Sequence, residues 1–248
     1  MSTTPASEEE SFILDCYTSF GSRPKDGAGL SCSDLASELG QRGVDAAVSL
    51  SFQGVFYDYE EGNTETLVEA KRSDGFIVPA GTIDPRRFYG SGGDICYRDF
   101  ATLRLFPKTQ GWPIDYAPFH KILQKAASSY TPIMIEAVGP GKPTLIARAI
   151  GSAEVPVILT SVNYSVLSEV LVLLSEHENL YVVNDMLNTP DGIELICDEV
   201  GPERLLFGSN YPITYFEGPK ISIEKAEIPA SHRRKILGGN ARRIMGIK

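Results

Sequence analysis

At 248 residues, 42% hydrophobic and 22% charged, the chain has the make-up of a folded globular protein with room for one sizeable core. Its net charge of −9 argues against nucleic acid or an anionic membrane surface as a partner, because either would need a basic patch. The short clusters Arg86–Arg87, His232–Lys235 and Arg242–Arg243 are too scattered to supply one and read as solvated helix faces.

Residues 1–10 are polar and acidic without the apolar segment of a signal peptide, which predicts a disordered tail. A rhythm of β-rich run, turn and amphipathic helix follows. Strands are expected at Phe12–Ser19, Asp45–Phe52, Phe76–Ile83, Ala101–Pro107, Pro132–Val138, Val155–Ser161, Asn179–Asp185 and Arg204–Ser209. Helices are expected at Ser33–Arg42, Glu65–Ser73, Tyr116–Ser129, Pro143–Ser152, Ser165–Glu178 and Asp191–Val200, with a closing pair at Ser231–Leu237 and Asn240–Met245. The stretch Asp84–Phe100 is left irregular, because the glycines at Gly90–Gly93 break any helix. Val138–Gly141 (VGPG) reads as a tight turn and Phe52–Asn63 as an aromatic loop, either a lid or interface anchor or packing against the neighbouring loop.

Eight strands alternating with helices of about ten residues indicate a parallel sheet with crossovers. The count of eight, with no GxGxxG after the first strand, favours a closed (β/α)8 barrel over an open doubly wound sheet. No linker or composition break divides residues 11–248, so they are expected to form one domain. The apolar runs, Val166–Leu174 among them, are too short to cross a bilayer. Cys16, Cys32, Cys96 and Cys197 form no CxxC pair, which predicts reduced thiols in a cytoplasmic protein, with Cys16 and Cys197 as buried fillers.

Several strand ends resemble the amidohydrolase-related family, in the branch that includes decarboxylases of the aminocarboxymuconate type. Arg204–Pro212 (RLLFGSNYP) resembles the family's last-strand motif ending in LFGSDYP, and Gly238–Ile247 (GGNARRIMGI) resembles its closing helix. Phe12–Gly21, Ala80–Arg86, Thr131–Gly139 and Val155–Val162 match more weakly but in family order.

The resemblance implies a divalent metal at the barrel mouth, held first by the two histidines of a D-x-H-x-H strand. Tyr17 and Ser19 stand at those positions, Glu136 and Ser161 stand where later histidines belong, and Asn210 replaces the catalytic aspartate of FGSD. Neutral Tyr, Ser and Asn are poor zinc ligands, and an amide cannot serve as general base near neutral pH. His120, His177 and His232 fall in or beside predicted helices, so no metal and no cofactor are expected.

The groups left to line a ligand pocket are Tyr17, Ser19, Arg104, Phe106, Glu136, Ser161, Asp185 and Asn210. Arg104 and Glu136 lie on neighbouring predicted strands and are expected to pair inside the barrel. Ser161 and Ser209 have no histidine partner and no GxSxG context, so their hydroxyls are expected to bond locally.

Three readings follow. The first is a catalytically degenerate amidohydrolase-like protein acting as a non-catalytic subunit, scaffold or small-molecule binder. It would pair with itself or with an amidohydrolase-like subunit. The second is a metal-independent hydrolase or lyase with Glu136 as acid/base and Tyr17 beside it. The third, an active metallohydrolase, would need an unorthodox ligand set. A mouth clogged by Phe106 and Tyr17 would favour the first, and an open pocket exposing Glu136 the second.

Overall fold

The computed structural model describes residues 12–24, 29–87, 96–151 and 153–248. The expected tail at 1–10 and the glycines at 90–93 lie outside the described residues. The elements run β1 (Leu14–Phe20), α1 (Cys32–Gln41), β2 (Ala46–Ser51), α2 (Phe52–Phe56), α3 (Tyr59–Arg72), β3 (Ile77–Thr82), β4 (Thr102–Leu105), α4 (Pro107–Gln110) and α5 (Ala117–Ser129). They continue with β5 (Ile133–Glu136), α6 (Lys142–Ile150), β6 (Val157–Thr160), α7 (Leu167–Glu176), β7 (Leu180–Val183), α8 (Gly192–Val200), β8 (Leu205–Leu206), α9 (Glu217–Lys225), α10 (Ala230–Arg234) and α11 (Asn240–Met245).

Each strand pairs in parallel with the next, in the order β1 to β8. Closure is made by backbone bonds from Cys16 N to Phe207 O (3.0 Å), Asn210 N to Tyr17 O (2.7 Å) and Ser19 N to Tyr211 O (3.0 Å). The fold is the expected (β/α)8 barrel. No described helix is long and apolar enough to cross a membrane.

Strand alternation sorts the apolar residues into two cores. Leu103, Leu105, Ile133, Ile135, Val157 and Leu159 pack outward beneath the helices. Val48, Ala80, Met134, Ile158, Val183 and Leu206 fill the barrel interior. Arg104, between Leu103 and Leu105, therefore points inward. On β1 the register against β2 slips between Asp15 and Thr18. That bulge places both Cys16 and Tyr17 in the interior cluster.

The glycines and the asparagine of the two strongest motifs have structural work. A Cβ on Gly208 would lie 2.5 Å from Val183 Cγ1 and 2.6 Å from Tyr17 Cβ. One on Gly238 would lie 2.3 Å from the Phe12 carbonyl oxygen. The Asn240 amide, buried, donates to the carbonyls of Pro202 (2.7 Å) and Leu205 (2.8 Å). These positions let β8 and the C-terminal helices close against β1.

Three local expectations need correction. Phe52–Asn63 is helical rather than a loop, because Ser51 caps α2 and Asp58 caps α3, accepting from the amides of Glu60 and Glu61. Phe52 and Tyr59 are buried, leaving Tyr57 as the exposed aromatic of that stretch. β8 is only two residues long, and α9 was not anticipated. Val138–Gly141 is the expected turn, with Gly139 and Gly141 at positive φ (96° and 79°). Cys16 and Cys197 are buried and unpaired.

Candidate functional site

In a (β/α)8 barrel the strand C-termini and the loops after them form the active face. At the centre of that face here is Arg104, 1% exposed. Its guanidinium lies over the Tyr17 ring, with Cζ 3.9 Å from the centroid, and 5.4 Å from that of Phe106. One arm donates to the Thr18 carbonyl, while Nε finds no hydrogen-bond partner among the described residues. Tyr17 and Phe106 are themselves buried, and the Tyr17 hydroxyl sits 3.4 Å from Thr160 Oγ1. Burial pushes the Tyr17 phenol above its usual range, against the opposing pull of Arg104.

Two buried carboxylates share the field of this cation. Asp15 accepts from the amides of Tyr17 (3.2 Å) and Ser209 (2.9 Å), so it holds the bulge of β1 and ties it to the end of β8. Asp185 accepts from the amide of Ser161 (2.8 Å), whose φ of 62° is left-handed. Each acid leaves its second oxygen without a partner among the described residues. Burial raises Asp15 to about 6 and Asp185 to about 7; the Ser209 side chain, backbone amides and Arg104 pull Asp15 the other way, and backbone amides and Arg104 do so for Asp185.

Arg104 and Glu136 do not form the expected ion pair. Arg104 is level with Met134 across the β4–β5 ladder, and Glu136 stands two residues further toward the mouth. There the first turn of α4 reaches its carboxylate, which accepts from Lys108 N (2.9 Å), Thr109 N (3.0 Å) and Thr109 Oγ1 (2.6 Å). Short bonds to two helix N-terminal amides are a better partner than a cation deeper in the barrel.

The expected pocket residues thus separate. Tyr17, Ser19, Arg104, Phe106 and Asp185 are buried at the mouth, with the Ser19 hydroxyl lacking a partner among the described residues. Glu136, Ser161 and Asn210 are half-buried at the rim. Ser209 Oγ accepts from the amide of Tyr211 (3.0 Å), the local bond expected of it. His120 lies in α5, 3.6 Å from Asp115, His177 caps the end of α7, and His232 lies in α10.

These side chains do not fit a divalent metal. The inherited ligand positions offer a phenol, two hydroxyls, an amide and a carboxylate already committed to α4, with a guanidinium stacked among them. Among the described residues no group of three or more His, Cys, Asp and Glu is placed to hold a metal ion.

Sequence reasoning missed Asp15, Thr160 and the first turn of α4. The first was visible as an acid inside an apolar strand, but its role depends on the bulge.

The family model for the amidohydrolases matches residues 97–247, more than half of the chain. The chain belongs to the amidohydrolase family. Solved structures of amidohydrolase-like barrels resemble it throughout. Amidohydrolase 2 from Bifidobacterium longum subsp. infantis is 18% identical over 96% of this chain and 100% of its own, with a TM-score of 0.69. The 5-carboxyvanillate decarboxylase from Sphingomonas paucimobilis is 14% identical over 96% of this chain and 100% of its own, with a TM-score of 0.70. A TIM-barrel protein from Bordetella bronchiseptica is 18% identical over 88% of this chain and 83% of its own, with a TM-score of 0.68. At such identities the likeness shows a shared amidohydrolase-like fold. No curated protein matches the chain in sequence.

Proposed function

We propose that this chain is a catalytically degenerate member of the amidohydrolase family, a barrel without a metal centre that acts as a non-catalytic subunit, scaffold or small-molecule binder. One observation carries the reading: Arg104, Tyr17 and Phe106 are stacked where the metal ligands would converge, and none of the three can serve a divalent ion as imidazole or carboxylate would. The retained motif positions Gly208, Gly238 and Asn240 all serve barrel closure, so what survives of the family pattern is its architecture.

Retained architecture is what a subunit needs in order to dock, and an interface with itself or with an amidohydrolase-like partner suits this reading. Four unpaired cysteines suit a reduced, cytoplasmic setting. The competing reading, Glu136 as a lone acid/base, is weakened by its three bonds to α4, which leave the carboxylate engaged before any substrate arrives.

Non-denaturing mass spectrometry of the protein isolated from its own cells without chelator tests the proposal. The expected result is a metal-free mass, alone or with a second barrel subunit attached. A stoichiometric zinc, manganese or iron adduct would overturn it.

A further inference from the structure

Off the barrel axis lies a cleft of about 360 Å³ between α4, the segment after it and the turn that follows β5. Trp112, Ile114 and Val138 give it an apolar lining, and Lys108, Glu136 and Lys142 give it a polar one. The Trp112 ring is fixed by Nε1 donating to Gln110 Oε1 (3.0 Å) and by a tilted contact with Phe119 at 5.4 Å.

The charges in this cleft are not balanced in the way its composition suggests. Glu136 has its carboxylate bound to Lys108 N, Thr109 N and Thr109 Oγ1. Lys108 and Lys142 are exposed, and neither ammonium meets a carboxylate within 4 Å among the described residues. Two uncommitted ammonium groups beside one engaged acid leave a local excess of positive charge, in a protein whose net charge is −9. An apolar wall with a few convergent polar groups, in a cleft of this volume, is the usual form of a small-molecule site.

We propose that this cleft binds a small amphipathic monoanion, an apolar body carrying one carboxylate, with the body against Trp112, Ile114 and Val138 and the head between Lys108 and Lys142. The Glu136 carboxylate at the same rim disfavours a dianion by like-charge repulsion. The site lies off the barrel axis and uses none of the inherited metal positions except Glu136, which acts there as a fixed wall. It stands apart from the metal-free reading, because the metal content of the protein and the occupancy of this cleft are measured separately.

Trp112 is the only tryptophan of the chain and reports directly on the cleft. The test titrates the full-length protein with 3-cyclohexylpropanoate and with its uncharged amide, both transparent where tryptophan absorbs. Trp112 emission and isothermal calorimetry are followed in parallel. The acid is expected to give a saturable change and the amide none over the same range. Lys108→Gln and Lys142→Gln, checked to melt as the parent does, are each expected to weaken the acid by about fivefold. No saturable binding of the acid by either method would overturn the proposal. So would equal affinity for the amide, or unchanged affinity in both lysine variants.

Discussion

The guanidinium of Arg104 lies over the Tyr17 ring, with Cζ 3.9 Å from its centroid, at the centre of the barrel mouth. This contact places a permanent cation in the low-dielectric interior, with Asp15 and Asp185 as the nearby buried acids that feel its field. The mouth therefore gathers one buried cation and two buried acids, and its energetics depend on pH.

Asp15 rises from 3.8 to about 6 and Asp185 from 3.8 to about 7 on folding, both chiefly through burial. A carboxyl whose folded pKa is raised binds its proton more tightly in the native state. Its stabilising contribution is full below about pH 4 and is lost as pH rises through the folded value. Thermal melts should accordingly show a higher midpoint at pH 5 than at pH 8. Asp185→Asn keeps the acceptor for Ser161 N and removes the charge, so it should narrow that difference to the part due to Asp15 and gain a few kcal/mol at pH 8. An unchanged pH profile in the variant would show that Asp185 does not carry the effect.

Glu136 is held by α4 rather than by Arg104, and the two alternatives differ in a double-mutant cycle. Glu136→Gln should cost about 1 kcal/mol, the usual scale for weakening a charged bond at a helix N-terminus. It should couple measurably to Thr109→Val and be additive with Arg104→Met to within about 0.5 kcal/mol. Strong coupling to Arg104 with none to Thr109 would restore the ion pair.

Gly208 is required by packing. Its Cβ in Gly208→Ala would fall 2.5 Å from Val183 and 2.6 Å from Tyr17, with the motif's backbone held between β7 and β1. Urea unfolding should show a loss of about 2 kcal/mol or more, as expected for a clash in a packed core. A loss under about 0.5 kcal/mol would mean that β8 can shift, and that Tyr17 is less firmly seated than the structure shows.

The amino-acid sequence alone determined the barrel, because eight apolar runs separated by helical periods have few ways to bury both strand faces. It also displayed Tyr17, Ser19 and Asn210 at positions where the family resemblance implies two histidines and an aspartate, since residue type is read directly from the chain. It placed Arg104 inside the barrel by alternation along β4, yet misassigned its partner. Which groups meet depends on strand stagger and on loops that only the folded chain brings together. The bulge at Asp15 turns Tyr17 inward under Arg104, and the first turn of α4 captures Glu136. Both are encounters between segments far apart in sequence, with energies set by burial and by backbone amides that no residue pattern displays. The aromatic stretch at Phe52–Asn63 shows the same limit, since its two short helices depend on the Ser51 and Asp58 caps and on a core that takes up Phe52 and Tyr59.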